Sequence, residues 1–429
     1  FSLFLNFSRI NPRWIRDYWQ RKDKYYRFSA DPNKIGANHD WSGVARHTPG
    51  FSNVLYASWG TSITPSYLIS TGHQQGVFLS NVMRMYASNS STLDFVDKQM
   101  SAVVNYYNEP PYKDLSIRRL QTPVPTTYVS YPIYHPGDSN LVDPNSPQPF
   151  MAFGLHNRSS TDDLIPQYQK IWTNVITSAY YSQGVLKTAG YKFDMDDAPS
   201  SEGLARTRDS GAPVFIIVGG TQDPQTGDIT GGRPALLGYH WTGAQHPDAS
   251  GLWPDGTWRP TSFVFPYYTN VYESYYYYSL PGGTLISALG HAALIETWID
   301  THESGPSAQR PLYYNQTKRS DINGDNSTTA ADLVRFVRWY GQNGYYNMGG
   351  DISNDGQVNW DDVEAYLSSF YSSAAGDVNL DGFVDVADLQ IMGNNYEAPG
   401  TGWGWEDGDL NGDGIVNSAD VVIWGNENY

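Results

Sequence analysis

Serine, histidine and aspartate occur in three separate segments whose local patterns could support hydrolytic chemistry. Ser210 lies in a turn bounded by Gly and Pro, directly before an apolar stretch over 214–220. His73 ends a β-rich apolar run, and Asp114 begins a segment of alternating apolar residues. A serine hydroxyl is a poor nucleophile at neutral pH, so it needs an imidazole to take its proton and a carboxylate to orient that imidazole. A nucleophilic hydrolase is therefore the first hypothesis.

The order of the three segments resembles the trypsin-like serine proteases. The chain order His, Asp, Ser is that of the chymotrypsin arrangement and differs from the subtilisin and α/β-hydrolase orders. The chain has no cysteine, so it is similar to the cysteine-free bacterial members and has no disulfides or thiolate metal sites. The resemblance implies that His73 is the general base and acid, Asp114 the orienting carboxylate and Ser210 the nucleophile.

The same resemblance places the oxyanion hole at the backbone N–H groups of Ser210 and Arg208. The family usually has Gly where Arg208 stands, and Gly can turn its N–H inward at no steric cost. An unformed hole would lower turnover by roughly 10²–10³-fold, so a catalytically silent domain is the alternative. No acidic residue stands at the expected base of the specificity pocket, which gives no support to a preference for Lys or Arg. The residues expected at the substrate are Leu204, Trp241, Thr242 and Gly243.

Each triad candidate also has a structural interpretation. A single His after an apolar run is usually structural, and Asp114 alone could cap the start of a strand. Asp94 and Asp97 compete with Asp114 for the role of the acid, but the segment around them is predicted to start a helix. A second helix is predicted over 288–302, where apolar residues recur at helical spacing; it resembles the helix that closes the protease fold.

The most specific pattern is a repeat of four Asp-rich loops near the C-terminus. Each loop has oxygen-bearing side chains at positions 1, 3, 5 and 9 and an Asp at position 12. Calcium takes six to eight oxygen ligands in a tightly turned loop, and Gly at position 6 permits the turn. The predicted ligands are Asp321, Asn323, Asp325 and Asp332 in the first loop, Asp351, Ser353, Asp355, Asn359 and Asp362 in the second, Asp377, Asn379, Asp381, Asp385 and Asp388 in the third, and Asp409, Asn411, Asp413, Asn417 and Asp420 in the fourth.

Asp in place of Glu at position 12 makes these loops resemble dockerin-type loops more than EF-hands. Weaker calcium binding is expected in the first two loops, because Asn326 replaces Gly and Ser353 stands at position 3. A short amphipathic helix is predicted after each loop, over 333–340, 363–371, 389–395 and 421–424. The spacing fits two dockerin-like modules in tandem or one four-loop unit. Calcium, at up to four sites, is the expected cofactor and is expected to supply part of the folding energy.

Charge follows the same division of the chain. The net charge is −17, and the segment from Arg319 onwards has 19 acidic and 3 basic residues, which gives −16 and leaves −1 for the rest. An acidic region of this kind repels nucleic acid. No apolar run is long enough to span a bilayer. The chain begins at Phe1 without an initiator Met or a basic leader, which is typical of a processed or truncated beginning.

The predicted organisation is an N-terminal extension at 1–39, a trypsin-like serine protease domain at 40–303, a linker at 304–318 and a tandem dockerin-like calcium domain at 319–429. The predicted fold class is mainly β, a chymotrypsin-like double β-barrel followed by a small α-helical, EF-hand-like calcium domain. The predicted function is a secreted or cell-surface serine endopeptidase acting on a protein or peptide substrate. The dockerin resemblance implies a cohesin-like partner, and self-association is the alternative. A glycan-active enzyme or esterase ranks last, because no paired carboxylates support it.

Overall fold

The computed structural model describes residues 26–47, 59–72, 82–87, 93–109, 113–139, 141–143, 145–155, 169–192, 211–224, 226–242, 282–303, 309–340, 347, 349–398 and 403–426. Within these ranges, two β units precede a helical C-terminal unit. The fold-class prediction, mainly β with barrel-like sheets and a small helical unit at the C-terminus, is confirmed.

The first β unit is a closed six-stranded barrel with the strand order β1-β2-β3-β6-β5-β4. All of its strand pairs are antiparallel, and closure leaves no unpaired edge. The strands are β1 Val44–His47, β2 Trp59–Thr64, β3 Tyr67–Ser70, β4 Val82–Tyr86, β5 Phe95–Glu109 and β6 Lys113–Leu120.

Strand β3 shows how the sequence pattern fills both sides of the barrel wall. Successive side chains of a strand point to opposite faces. Leu68 joins one hydrophobic cluster with methionines of β4, whereas Tyr67 and Ile69 join the larger cluster shared with the second β unit. Both faces of β3 are therefore buried, which explains its continuous run of apolar residues.

The helix start predicted around Asp94 and Asp97 is wrong. Leu93 has a left-handed backbone with φ 55°, which cannot begin a right-handed helix, and β5 starts two residues later. The following β-branched and aromatic residues pair with β4 on one side and β6 on the other. These long-range pairings outweigh the local preference of the short segment that had suggested a helix.

The second β unit is a nine-stranded sheet with the order β10-β11-β16-β15-β12-β8-β9, in which β7 pairs with β15 and β17 pairs with β7. Its strands are β7 Ile133–His135, β8 Pro149–Leu155, β9 Gln169–Val175, β10 Ser178–Ser182, β11 Val185–Lys192, β12 Pro213–Val218, β15 Arg233–Thr242, β16 Gly282–Ser287 and β17 Tyr313–Asn315. A separate hairpin-like pair is formed by β13 Thr221–Gln222 and β14 Ile229–Thr230.

The two β units share one hydrophobic core. The fully buried ring of Trp41 contacts Phe153 on β8 and Phe215 on β12, at centroid distances of 5.2 and 5.1 Å. Tyr131 packs on Phe215 at 4.7 Å, and Trp59 of the barrel contacts Phe153 at 6.0 Å. Each aromatic pair of this kind contributes about 0.5–1.5 kcal/mol of stabilisation beyond that expected from the area it buries. The shared core fixes the position of one β unit against the other.

The helix predicted at the end of the β region is present as α1, Ala292–His302. Its buried face consists of Ile295, Trp298 and Ile299, at the spacing of one helical stripe. The indole of Trp298 meets the ring of Tyr67 edge-on at 5.8 Å. Helix α1 therefore packs against the first barrel as well as the sheet.

The C-terminal unit has its own hydrophobic core. Its helices are α2 Ala330–Tyr340, α3 Trp360–Phe370, α4 Val386–Asn395 and α5 Ser418–Asn426. Each begins three residues earlier than predicted. For α3 and α4 the reason is visible in the capping box, because Asn359 and Asp385 at loop position 9 serve as N-caps and the helix starts at position 10.

Among the described residues, no helix combines the length and the apolar character that crossing a membrane would require.

Candidate active site and calcium loops

Asp114 is the predicted triad residue that the structure describes. It lies at the start of β6 and is buried, with 4 % of its surface exposed. His73, Ser210, Arg208 and Leu204 lie outside the described residues, as does Gly243. The backbones of Trp241 and Thr242 lie at the end of β15.

Gly72 brings the chain that enters position 73 against the strand that carries Asp114. A Cβ at position 72 would lie 2.9 Å from the carbonyl oxygen of Leu115 and 2.8 Å from that of Tyr106. Real Cβ atoms essentially never come this close, so the approach requires Gly. The residue before His73 and the residue after Asp114 are therefore in backbone contact.

Gly211 makes the corresponding contact for the chain that follows Ser210. Its φ of +79° is in the left-handed region, and a Cβ there would clash with the hydroxyl of Ser70 and lie 2.9 Å from that of Thr71. The N–H of Gly211 donates to the carbonyl of His240 at 2.8 Å, and the N–H of His240 donates to the carbonyl of Ala212 at 3.0 Å. The residue after Ser210 is thus held between β15 and the turn that leads to His73.

The structure describes residues next to each of the three triad candidates, and these residues lie close together between the two β units. Position 72 contacts position 115, and position 211 contacts position 71. The sequence separates these segments by 41 and 96 residues, so only the fold brings them together. This convergence is the arrangement that a Ser-His-Asp set needs.

The phenol of Tyr239, on the second β unit, interacts electrostatically with Asp114. Tyr239 lies on β15 opposite Pro213, three residues after the predicted nucleophile. Burial, reinforced by the negative charge of Asp114, raises the pKa of the Tyr239 phenol well above its usual value. Its hydroxyl shares a 2.9 Å hydrogen bond with Nδ1 of His291. Neither Tyr239 nor His291 was among the predicted site residues, because their pairing spans 52 positions and follows no local motif.

His240 is a packing residue beneath this site. It is fully buried, neither ring nitrogen has a hydrogen-bond partner, and the imidazole stacks on Trp172 with centroids 5.3 Å apart. Burial lowers the pKa of His240 to about 3. The imidazole is consequently neutral at neutral pH.

The four C-terminal loops share one backbone arrangement. In the third loop, Asp388 at position 12 accepts the N–H of Val378 through Oδ1 and that of Asp385 through Oδ2, both at 2.8 Å. The equivalent carboxylates, each fully buried, are Asp332, Asp362 and Asp420. Their Oδ1 accepts the N–H of position 2 in the first and fourth loops and that of position 3, Ser353, in the second, and their Oδ2 accepts the N–H of position 9 in all three. Position 12 therefore closes every loop by accepting backbone N–H groups from its two ends.

Position 6 has the left-handed backbone expected at the turn of each loop. The φ angles of Gly356, Gly382 and Gly414 are 91°, 92° and 85°, and Asn326 adopts 67° in the first loop. Asn tolerates this region better than most other non-glycine residues. The replacement of Gly by Asn in the first loop is therefore accommodated without a change of loop shape.

The second loop shows most directly that these residues suit a divalent cation. Carboxylate oxygens of Asp351, Asp355 and Asp362 lie within 4.8 Å of one another. Oδ1 of Asp351 is buried and has no hydrogen-bond partner, a costly state for a carboxylate oxygen. A cation among the three carboxylates would satisfy it, and an all-oxygen donor set favours calcium.

Burial also affects the acidity of loop carboxylates. It raises the pKa of Asp332, Asp362 and Asp420, and it raises that of Asp409 to about 7. Neighbouring aspartates add to the rise in each case. The first, second and fourth loops therefore concentrate negative charge that an ion can neutralise.

Comparison with known proteins identifies part of the C-terminal unit. Residues 375–426 match the family model of the Dockerin type I domain, which confirms the dockerin prediction for the third and fourth loops. No curated protein matches the chain.

Two solved structures resemble the β region at low identity. An inactivated protease paralogue of the scabies mite has 11 % identity and a TM-score of 0.36, and covers 62 % of this chain and 100 % of its own. A mutant of human heparin binding protein has 9 % identity and a TM-score of 0.37, and covers 63 % of this chain and 96 % of its own.

Proposed function

We propose that the chain is a secreted serine endopeptidase with a calcium-stabilised docking module at its C-terminus. The triad is His73, Asp114 and Ser210. The observation that supports it is the convergence of Gly72, Leu115 and Gly211, each one residue from a triad member. The burial of Asp114 between the two β units adds to this, because the triad acid must be shielded to hold the imidazole in one tautomer.

In this mechanism the Ser210 hydroxyl attacks the scissile carbonyl while His73 takes its proton. Asp114 orients the imidazole and stabilises the imidazolium. The backbone N–H groups of Ser210 and Arg208 stabilise the oxyanion. His73 then protonates the leaving amine. In the second half of the reaction, His73 takes a proton from water, the water attacks the acyl-enzyme, and His73 returns a proton to the Ser210 oxygen. The end of β15, with Trp241 and Thr242, pairs with the substrate backbone.

Calcium occupies up to four loops in this proposal. The ligands are the oxygen side chains at positions 1, 3, 5, 9 and 12, as predicted. The shared carboxylate geometry of all four loops supports extending calcium from the dockerin match to the first two. Calcium binding of this kind favours an extracellular or cell-surface location, where free calcium is high.

The dockerin module at 375–426 is the surface proposed for a cohesin-like partner. Several apolar side chains of this module are exposed, among them Phe383 at 70 % and Val386 at 77 %. Ile415 and Val422 in the fourth loop and its helix are also exposed. Exposed apolar groups clustered in one small module mark an interaction surface. Self-association through the same surface is the alternative occupant.

The test of the enzyme proposal is cleavage of casein or a peptide library. We expect hydrolysis by the wild-type chain and its loss in Ser210→Ala, with both proteins folded to the same extent by circular dichroism. Cleavage that survives in Ser210→Ala contradicts the proposed nucleophile.

A catalytically silent domain is the second candidate function, favoured by Arg208 at a position that usually carries Gly in the family. Under this alternative the β region is a binding part of an extracellular assembly. Arg208→Gly distinguishes the two, because it should create activity in a silent domain and change turnover far less in a working enzyme.

A further inference from the structure

The first aspartates of the four loops differ in their hydrogen-bond and ion-pair partners. In the described residues, the Asn315 amide donates to Asp321 at 2.7 Å, and the Ser373 hydroxyl donates to Asp377 at 2.6 Å. Asp409 accepts backbone N–H groups alone. Asp351 instead forms an ion pair with the guanidinium of Arg233. Among the described residues, Asp351 is the one first-position aspartate that forms an ion pair, whereas Asp409 attracts the guanidinium of Arg338 electrostatically.

Arg233 belongs to the β sheet and not to the calcium domain. It opens β15, lies opposite Val218 of β12 and is 118 residues from Asp351 in the sequence. A second guanidinium, that of Arg319, is buried nearby over the ring of Tyr314 at 4.1 Å. Asp351 is the carboxylate that attracts Arg319, and Arg233 repels it. The second loop therefore faces positive charge supplied from outside the loop.

The ion pair leaves room for calcium. Arg233 and the N–H of Gly356 both donate to Oδ2 of Asp351, whereas Oδ1 has no partner. Asp355 and Asp362 offer their oxygens within 4.8 Å of Asp351. Oδ2 of Asp351 therefore binds Arg233 of the β sheet, while Oδ1 is available to an ion.

We propose that Arg233 is a built-in counter-ion of the second calcium loop. It neutralises part of the Asp351, Asp355 and Asp362 cluster, ties the calcium-free loop to the β sheet and weakens calcium binding at that loop. This inference depends on the calcium binding proposed above. It divides the C-terminal unit into a first loop pair attached to the β region and a second pair, the dockerin match, available to a partner.

The direction of the effect follows from Coulomb's law. Without calcium, the three carboxylates attract the Arg233 guanidinium with a charge of −3. With calcium bound, the net charge of the cluster falls to −1 and the ion repels Arg233. Arg233 therefore stabilises the calcium-free loop more than the calcium-bound loop. By thermodynamic reciprocity, calcium must weaken the hold of Arg233 on Asp351 to the same extent.

The experiment is calcium titration by calorimetry on the full chain. Asp351→Asn should remove one site from the isotherm, which identifies the second loop. Arg233→Gln should tighten that site by about three- to tenfold. Arg84→Gln is the matched control, because Arg84 pairs with Asp97 on the first barrel, and it should leave the isotherm unchanged. An Arg233→Gln isotherm that matches the control, or a weakened second site, overturns the inference.

If Arg233→Gln does not fold, a measurement on the wild-type chain tests the same inference. Phenylglyoxal modification of Arg233, followed by peptide mass spectrometry, should be faster with calcium than with chelator when referenced to Arg84. Equal or slower modification with calcium overturns the inference. An isotherm without calcium sites in any loop would overturn the calcium proposal itself, so the two failures are distinguishable.

Discussion

At the scale of single residues, two glycines allow close backbone contacts next to the predicted catalytic residues, and the sequence pattern did not single them out as contact positions. Gly72 and Gly211 each permit a backbone approach that a Cβ would block. The segments that carry the candidates could be predicted because turn chemistry and apolar alternation are local. Tyr239 and His291 could not, because nothing in either segment specifies its distant partner.

Gly211→Ala tests this backbone approach. The substitution places a Cβ against the Ser70 and Thr71 hydroxyls at a φ of +79°, which costs about 1–2 kcal/mol from the left-handed conformation alone. We expect a lower unfolding midpoint in urea and loss of peptide cleavage. The exposed Gly184, which also has a positive φ but no neighbour within 4 Å, is the control: Gly184→Ala should keep full activity. Equal effects of the two substitutions contradict the contact.

His240 should make the stability of the β region depend on pH. The unfolded imidazole titrates at about 6.5, whereas burial holds the pKa of the folded one at about 3. The unfolded state therefore binds more protons between these values, so this contribution is complete above pH 6.5 and is lost as the pH falls towards 3. The complete contribution of His240 to the free energy of unfolding is on the order of 3–5 kcal/mol.

The measurement compares urea unfolding of wild type and His240→Phe from pH 4 to 8. The variant should lose less stability than wild type on acidification, because Phe does not titrate. His302→Phe, at the partly exposed end of α1, serves as the control and should follow the wild-type curve. A pH dependence that is identical in wild type and His240→Phe would show that the buried imidazole does not titrate as described.

At the scale of elements, strands and loops with strong local signatures were predictable, and elements defined by distant partners were not. Strand β12 and the four loop–helix units follow from apolar runs, turn residues and ligand spacing. Strand β5 was misjudged because pairing with β4 and β6 decides its structure. Strand β17 lies within the predicted linker, where its parallel pairing with β7 has no counterpart in the local sequence.

Helix α1 should anchor the first loop pair through Glu296. Its carboxylate pairs with Arg335 of α2 at 2.7 Å and with Arg310 at 3.2 Å, and accepts the hydroxyl of Tyr313 at 3.2 Å. Glu296→Ala should lower the free energy of unfolding by about 1–3 kcal/mol, because it removes the carboxylate partner of the partly buried Arg335 and one of the two carboxylates that pair with Arg310. Asp300→Ala is the control, since Asp300 is 53 % exposed and pairs with Arg310, and it should cost under about 1 kcal/mol. Urea denaturation in saturating calcium measures both.

Chelation should act unequally on the two loop pairs. In the proposed function, calcium neutralises the loops of the dockerin module, whereas the first pair is also held by β17, Glu296 and Arg233. We expect limited proteolysis in chelator to cut within 375–426 first and to leave the chain up to about residue 371 intact. Calcium should protect the module. Simultaneous cleavage of both pairs would contradict the attachment of the first pair to the β region.

At the scale of the whole molecule, two hydrophobic cores meet at adjacent residues. Tyr313 belongs to the core of the β region, whereas Leu312 belongs to the core of the helical unit. Alternation along an extended chain explains how neighbouring side chains enter different cores. The sequence alone shows that the chain is nearly neutral before Arg319 and strongly acidic from Arg319 onwards. The contact between the two parts could not be predicted from the sequence, since Arg233 and Asp351 are far apart in the chain.

The most direct test of the catalytic claim is labelling by a serine-reactive phosphonate with the modified residue identified by mass spectrometry. We expect label on Ser210 of the folded wild-type chain, and strongly reduced labelling in His73→Ala and Asp114→Asn, which remove the base and its orienting carboxylate. Folded wild-type protein that takes no label at Ser210, or takes it equally in the two variants, contradicts a working triad.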